Sequence, residues 1–323
     1  MLSKNSNFEL VSFTEKDFSI YTSSRPGENR VGQSLIAQND HLKARYIILG
    51  ISESIGPMAN GGLQGAENAF LAFFSSFLNT QDFQHNCACI GYIKWIGSTI
   101  NDRQLTDFVV ELDEFVLNVL TKSLRREQVP ILIGGGHNNA LPLIRWANLF
   151  NDKIDVLNID AHADCRALEG RHSGNSFSYA MQEGLIKKYH VFGLHQAYLN
   201  ASSLKYLNDN QAGYTFYEDY LDGHRQLSDD IEKLILDQVQ HTSIGLEIDM
   251  DSIADMPSSA ISPSGWRLDE IRSVVRKLAN STLNIAYLHL TEAAPISDED
   301  KKKVGKALSY LVRDYIGNQL PTG

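Results

Sequence analysis

The middle of the sequence carries three potential metal ligands at alternating positions. Asp160, His162 and Asp164 follow the short run 155–157. Alternate side chains of a β-strand point to the same face of the sheet. At the carboxyl end of a buried parallel strand, these three side chains would open into the crevice where open α/β sheets bind ligands. The stretch therefore indicates a metal site, although a solvated strand end or a helix cap would also account for it.

Ligand-type side chains follow three other apolar runs of the sequence. His137 comes after a run that ends in three glycines, Asp249 and Asp251 end another run, and Glu292 follows the last. Because parallel strands share one carboxyl edge, residues far apart in sequence can meet there. Without Glu292, the set holds four carboxylates and two imidazoles, which exceeds the needs of one ion. Such ligands favour Mn or Mg over structural zinc. Two ions ~3.5–4 Å apart can share a hydroxide and hold it against an electrophilic carbon.

The segments that must position these residues alternate between apolar runs and helical patterns. From Tyr46 onward we count about eight runs of strand type separated by helical stretches. This alternation predicts a three-layer α/β/α fold with a mostly parallel sheet. Residues 1–44 show weak periodicity and predict an N-terminal extension packed on a single catalytic domain over residues 45–323. Residues 297–300 have the form of a capping box that opens the last helix.

Composition and charge argue against several other classes of protein. The formal net charge of −10 argues against a nucleic-acid partner, since phosphate binding needs a basic stripe. The first 17 residues lack the apolar core of a signal peptide, and no apolar run approaches ~20 residues, so no membrane partner is expected. Cys87, Cys89 and Cys165 are too few for a disulfide scaffold, and a cytoplasmic location is expected.

Taken together, these motifs resemble the ureohydrolase superfamily, which comprises arginases, agmatinases and formimidoylglutamases. The resemblance rests on Asp-Ala-His-x-Asp at 160–164, Gly-Gly-x-His ending at His137, Asp-x-Asp at 249–251, and Glu292 shortly before a proline. The motifs occur in the order found in the family, and the similarity runs from about Tyr46 to Pro295. The family resemblance implies the same three-layer fold.

The resemblance also implies a binuclear manganese site. Asp160 and Asp249 match the carboxylates that bridge the two ions in the family. Asp164 matches a ligand that also hydrogen-bonds the metal-bound hydroxide and passes its proton to the leaving amine. The ligands of one ion would be His137, Asp160, Asp164 and Asp249, and those of the other would be Asp160, His162, Asp249 and Asp251.

Substrate contacts can be carried over in the same way. Glu292 matches the acid that pairs with the planar guanidinium or formamidine cation of the substrate. Ser173 and Asn175 match residues that contact the amino-acid end of the substrate, and Asn60 lies in a loop that resembles the Asn-Gly-Gly of the family. Family members commonly form trimers or hexamers, so a homo-oligomer is expected.

Three positions resemble the formimidoylglutamase branch. Gly136 stands where arginases and agmatinases usually have Asp, and Phe177 stands where arginase has a His. Arg166 resembles the Arg of an Asp-Leu-Arg sequence in that branch, and its guanidinium could hold a substrate carboxylate through two hydrogen bonds. The alternative for Arg166 is an ordinary surface arginine.

Other positions depart from this pattern. Asn175 is arginase-like, Glu247 stands where the family usually has Ser or Thr, and Asp255 falls one residue late for the usual Asp-Pro. Glu247 alternates with Asp249 and Asp251, so it either adds charge to the site or supports its ligands from behind. The role of His172 is left open.

We therefore predict a binuclear-manganese hydrolase that cleaves a C–N bond of a linear amidine. The leading substrate is N-formimino-L-glutamate, giving L-glutamate and formamide, and the second is L-arginine, giving ornithine and urea. A non-catalytic metal-binding regulator and a single-zinc deacetylase are the alternatives from other classes. The deacetylase chemistry needs one Asp-x-His and one further Asp, which would leave His137, Asp164 and Asp251 without a role.

Overall fold

The computed structural model describes residues 4–83, 85–97, 105–237 and 242–317. Within these ranges the chain forms nine strands and ten α-helices, joined by loops and short 3-10 turns. The strands are β1 (Phe8–Ser12), β2 (Tyr46–Ser52), β3 (Cys87–Trp95), β4 (Val129–Ile133), β5 (Ile154–Ile159), β6 (Ile186–Leu194), β7 (Gly213–Phe216), β8 (Ser243–Asp249) and β9 (Asn284–Thr291). The helices are α1 (Glu15–Tyr21), α2 (Ile55–Ala59), α3 (Ala69–Leu78), α4 (Leu105–Ser123), α5 (Ala140–Asn148), α6 (Ser176–Gln182), α7 (Ala201–Asp209), α8 (Leu227–Asp237), α9 (Leu268–Ala279) and α10 (Asp298–Ile316).

All nine strands belong to one sheet with the order β1-β3-β2-β4-β9-β8-β5-β6-β7. Every neighbouring pair is parallel except β1 with β3. The central strands β2, β4, β5 and β8 are buried along their whole length. A parallel strand covered on both faces is largely apolar, which explains the near-continuous apolar runs of the sequence.

Two apolar clusters, one on each face of the sheet, form the core. Along β2, the side chain of Ile48 belongs to one cluster, and those of Ile47 and Leu49 belong to the other. Helices α3, α9 and α10 cover the first face, while α4 and α5 cover the second. The predicted three-layer α/β/α architecture with a mostly parallel sheet is therefore confirmed.

The N-terminal segment contributes one strand more than the sequence led us to count. Strand β1 pairs antiparallel with β3 at the edge of the sheet, with Phe8 opposite Trp95. Its alternation of buried and partly exposed residues is short and includes Glu9, so its pattern is weak. This strand lies within residues 1–44 and extends the same sheet as the later strands. The division of the chain near residue 44 stays a prediction.

The C-terminal helix α10 begins as its sequence predicts. The Ser297 hydroxyl accepts a hydrogen bond from the Asp300 backbone N–H, and the Asp300 carboxylate accepts one from the Ser297 N–H, which forms a capping box. Among the helices in the described ranges, we find none that combines the length and the apolar character needed to cross a bilayer.

A glycine turn after β4 determines where His137 lies. Gly134 and Gly135 both have left-handed backbones, with φ of 88° and 68°. A Cβ added to Gly135 would lie 2.8 Å from Cγ2 of Ile51 and 2.9 Å from Oε1 of Glu53. Close approach and positive φ together require glycine at this point.

We expect Gly135→Ala to destabilise the protein more than Gly184→Ala. Gly184 also has a positive φ, of 71°, but nothing lies within 4 Å of its added Cβ. The control therefore carries the backbone strain alone, and Gly135→Ala adds steric overlap worth roughly 1–3 kcal/mol. Urea unfolding of the two variants measures the difference, and equal losses of stability would contradict the packing described here.

Candidate metal centre and substrate pocket

The candidate site lies at the carboxyl edge of four adjacent strands, in the order β4-β9-β8-β5. His137 follows β4, Glu292 follows β9, and the two aspartate groups follow β8 and β5. From the sequence we expected these residues at one edge of the sheet, and the strand order brings them side by side.

Strands β5 and β8 end in the same local structure. The His162 backbone N–H donates to Oδ1 of Asp160 over 2.7 Å, and the Asp251 N–H donates to Oδ1 of Asp249 over 2.8 Å. Such Asx-type bonds turn the chain and fix the carboxylate. The strands pair in parallel with Ile159 opposite Ile248. Asp160 and Asp249, the next residue on each strand, therefore lie side by side.

Three carboxylates surround the fully buried imidazole of His137. Its Nδ1 lies 2.8 Å from Oδ2 of Asp164, 3.1 Å from Oδ2 of Asp249 and 3.3 Å from Oδ2 of Asp160. A single N–H cannot donate to three acceptors, and the three carboxylates repel one another. A divalent cation would relieve both problems, and the ligand atoms of these four residues all lie within 4.8 Å of one another.

A second group of ligand atoms adjoins the first and shares Asp160 with it. Nδ1 of His162 lies 3.0 Å from Oδ2 of Asp251 and 3.6 Å from Oδ1 of Asp160. Oδ1 of Asp251 is buried and has no hydrogen-bond partner among the described atoms. An orphaned carboxylate oxygen next to an imidazole suits a second cation. All six predicted ligands are thus brought together. Asp160 belongs to both groups, and Asp249 belongs to the first only.

Electrostatics in the site are those of crowded like charges. Burial, then the charges of Asp251 and Asp160, raise the pKa of Asp249 well above its ordinary range. Burial and the charge of Asp160 raise the pKa of Asp164 to about 6. Burial alone would lower the pKa of His137, but the surrounding carboxylates raise it well above its usual value. The site therefore retains protons until cations replace them.

Two residues of the site have strained backbones. Asp164 and Glu292 have φ of 45° and 63°, a region that non-glycine residues rarely adopt. Each such conformation costs about 1–3 kcal/mol and persists where the surrounding structure enforces it, often at functional sites. The strain directs both carboxylates into the same pocket.

Glu292 is a buried acid at the base of this pocket. Its Oε1 accepts the His137 backbone N–H over 2.6 Å, and its Oε2 accepts the hydroxyl of Ser259. Burial is the main reason why the pKa of Glu292 is raised to about 8, although both hydrogen bonds act in the opposite direction. A substrate cation would restore the charged carboxylate.

The pocket above the ligands has a volume of about 540 Å³. It is bounded below by Glu292 and by four of the candidate ligands, His162, Asp164, Asp249 and Asp251, and its walls come from four separate loops. The side chains that the walls contribute include Asn60, Arg166, Glu169, Ser173, Tyr198 and Ser259.

Three of the predicted substrate contacts form a connected group at the pocket rim. The guanidinium of Arg166 is about half exposed and donates to Oδ1 of Asn60 over 2.6 Å and to Oε1 of Glu169 over 2.8 Å. The amide of Asn60 lies 3.4 Å from the Ser173 hydroxyl, to which it donates. The rim thus presents a cation and several polar groups opposite the ligand set.

Asn175 lies elsewhere. It is fully buried, its Oδ1 accepts from Nη1 of Arg171 over 2.8 Å, and its amide donates to the carbonyl of Gly170 over 2.7 Å. Its side chain therefore shapes the loop that carries the rim residues. Direct contact between Asn175 and the substrate stays a prediction.

Two buried groups that support the site were not predicted from the sequence. Glu53 accepts the backbone N–H of Gly136 over 2.9 Å and the amide of Asn139 over 2.9 Å, which holds the turn in front of His137. Arg171 pairs with Asp113 over 2.8 Å. Glu53 directly follows β2, so the same rule about strand ends could have found it. Arg171 lies in a loop and Asp113 within a helix, and no pattern in the sequence joins them.

We predict that Glu292 makes the stability of the metal-free protein fall as pH rises. Its pKa is about 8 when folded, against an ordinary value of 4.5, so the folded chain retains a proton that the unfolded chain loses between these values. Between these two pH values, this group lowers the free energy of unfolding by up to about 1.4 kcal/mol for each pH unit. Glu292→Gln should flatten the dependence, as measured by urea unfolding with chelator from pH 5 to 8.

The control for this experiment is Glu299→Gln, on the exposed first turn of α10. It should retain the wild-type slope. If Glu292→Gln also keeps the wild-type slope, the buried carboxyl does not hold the extra proton.

The sequence and the fold are both similar to those of known proteins. A formimidoylglutamase of Halobacterium salinarum is 28% identical over 197 residues, which span 59% of this chain and 63% of that protein. A formimidoylglutamase of Staphylococcus aureus is 25% identical over 275 residues, covering 83% of this chain and 85% of that protein. The crystal structure of Trypanosoma cruzi formiminoglutamase with Mn²⁺ has the same fold, with a TM-score of 0.70, 20% identity, and coverage of 90% of this chain and 99% of that one. The sequence model of the Arginase family matches residues 85–317, most of the chain, and the protein therefore belongs to the arginase family.

Proposed function

We propose that this protein is a binuclear-manganese formimidoylglutamase, which hydrolyses N-formimino-L-glutamate to L-glutamate and formamide. The observation that carries the proposal is the placement of Arg166 on the rim of a pocket whose floor is the ligand set and Glu292. A cationic group at one end and a buried acid at the other suit a substrate that carries carboxylates and an amidine. The names of the relatives and the Mn²⁺ in the T. cruzi structure support the same choice.

The donor set fits two manganese ions. His137, Asp164 and Asp249 would hold one ion and His162 and Asp251 the other, with Asp160 shared. Oxygen and imidazole donors without thiolates are typical of Mn²⁺ sites. When bound, the two ions would activate a water at neutral pH and stabilise the negative charge that develops in the transition state.

Glu292 would bind the cationic amidine. Its carboxylate is held by two hydrogen bonds, from His137 N–H and from Ser259. A formamidine cation presents two N–H groups in one plane, which a carboxylate accepts with charge assistance. This contact would orient the electrophilic carbon toward the ligand set.

Asp164 would move the proton. Its carboxylate lines the pocket beside His162, Asp249 and Asp251. From that position it would accept a proton from the attacking water and donate it to the nitrogen of the departing glutamate. Proton transfer to nitrogen makes the amine a better leaving group, so the C–N bond breaks.

Arg166 would bind a substrate carboxylate and set the distance between the two ends of the substrate. Its guanidinium is paired with Asn60 and Glu169. Because Glu169 is half exposed, its carboxylate can give up this place to a substrate carboxylate at little cost.

The turn at Gly136 supports a formimidoylglutamase over an arginase. An added Cβ there would lie 2.3 Å from Cδ of Pro57 and 2.5 Å from Oδ1 of Asn138. The turn therefore has no room for the Asp that arginases and agmatinases usually have at this position.

L-Arginine is the second candidate substrate, and the pairing of Arg166 with Glu169 favours it. A cation beside an anion complements the ammonium and carboxylate of a free amino acid, whereas formiminoglutamate offers two carboxylates and no free ammonium. The expected cytoplasmic location and the homo-oligomeric state stay predictions.

A turnover assay separates the candidate functions. We expect protein loaded with Mn²⁺ to release glutamate and formamide from N-formimino-L-glutamate and to release little urea from L-arginine. Turnover of arginine alone would overturn the leading proposal. Two ions per chain without turnover of either substrate would favour the non-catalytic relative.

A substitution tests the role of Arg166. We expect Arg166→Met to raise KM for formiminoglutamate by about 10–100-fold, because it removes a charge-assisted contact worth roughly 1.5–3 kcal/mol. The effect on kcat should be smaller, since the contact is made before and during the reaction. The matched control is Arg25→Met. Arg25 is exposed, lies at a turn near the N-terminus and is distant from Arg166 in the sequence, so this change should leave KM unchanged. An unchanged KM in Arg166→Met would make Arg166 an ordinary surface residue.

A further inference from the structure

Behind the ligand set lies a closed polar cluster that does not line the pocket. It consists of Glu247 on β8 and of Tyr287 and His289 on β9, and each of these side chains is fully buried. The register of the two strands places Glu247 directly opposite His289. A buried carboxylate is costly unless its oxygens are paired, so such a cluster needs a reason to exist.

Each carboxylate oxygen of Glu247 has a partner within the cluster. The Tyr287 hydroxyl donates to Oε1 over 2.7 Å, and Nδ1 of His289 lies 2.6 Å from Oε2. Two contacts from β9 therefore fix the position and the plane of the carboxylate. A carboxylate held in this way can in turn hold a third group.

That third group is the imidazole of His137. Its Nε2 lies 3.5 Å from Oε2 of Glu247, on the side of the ring away from the three aspartates. Within the described part of the chain, this buried nitrogen has no hydrogen-bond partner. Phe177 packs against the same imidazole with its ring centroid 5.1 Å away, which limits how the imidazole can rotate.

We propose that Glu247 is a positioning residue that fixes His137 for metal binding. A small approach of its carboxylate from the observed 3.5 Å lets it accept the Nε2–H of His137, so the lone pair of Nδ1 faces Asp160, Asp164 and Asp249. Metal-bound imidazoles commonly donate their second N–H to a carboxylate, which fixes the tautomer and raises the basicity of the ligating nitrogen. The inference rests on the proposed metal site, but it does not depend on which amidine is the substrate.

The first experiment measures metal affinity without any substrate. Mn²⁺ is titrated by competition with a chelator into wild-type protein and into Glu247→Gln, which keeps the shape of the side chain and removes its charge. We expect one of the two Mn²⁺ affinities to weaken by roughly 10–100-fold, as is typical when the partner of a metal-bound imidazole is changed. The other affinity should change little, because Glu247 faces only His137 among the six ligands.

Tyr287→Phe is the matched control. It removes one hydrogen bond from the same carboxylate but leaves the oxygen that faces His137 and its contact with His289. Both Mn²⁺ affinities should stay close to those of the wild type. If Glu247→Gln and Tyr287→Phe weaken metal binding equally, the cluster acts only through general packing and the proposal is wrong.

A measurement on the wild-type protein covers the case in which Glu247→Gln does not fold. Protein with ¹⁵N-labelled histidine is loaded with diamagnetic Mg²⁺, and the His137 resonances are assigned by their loss in His137→Asn. We expect Nε2 to carry the proton and Nδ1 to be unprotonated. A proton on Nδ1, or three bound ions per chain, would overturn the proposal, the latter because His137, Glu247 and His289 would then themselves form a metal site. Failure of the turnover assay alone would overturn the proposed substrate and leave these metal readouts unaffected.

Discussion

Mutual repulsion among four buried or nearly buried aspartates is the constraint on which the rest of this structure depends. Strands β5 and β8 are neighbours and end in the same Asx-type turn, so their carboxylates are directed at one another. A fold gains nothing from such an arrangement unless cations compensate it. The raised pKa values of Asp164 and Asp249 reflect this crowding of buried charges.

The surrounding structure holds these charges in place. Glu53 holds the glycine turn before His137, and the Arg171–Asp113 pair ties the rim loop to helix α4. The backbones of Asp164 and Glu292 are strained, and a fully packed sheet is what can maintain such strain. The site is rigid at its base and more exposed at its rim, where Arg166 and Glu169 are about half accessible. This arrangement suits fixed metal ligands and an adaptable substrate end.

Features of the fold and the site could be predicted from the sequence where they follow from a local pattern of residues. Features that depend on contacts between distant residues could not. The ligands could be predicted because each follows an apolar run of strand type, and parallel strands share one carboxyl edge. Strand β1 was missed because an edge strand with one half-exposed face has a short and weak pattern. The Arg171–Asp113 pair was missed because it joins a loop to a helix 58 residues away, and a pairing at that separation leaves no trace in a single sequence. The burial of Asn175 was also beyond reach, since a polar residue in a loop gives no indication of which way it points.

The most direct test of the central claim is anomalous diffraction at the manganese edge from crystals of the Mn²⁺-loaded protein. We expect two peaks per chain at the carboxyl edge of β4, β5 and β8. One peak should be bounded by His137 and Asp164 and the other by His162 and Asp251, with Asp160 between them. A single peak, or peaks away from these residues, would show that the aspartates do not form a two-metal centre.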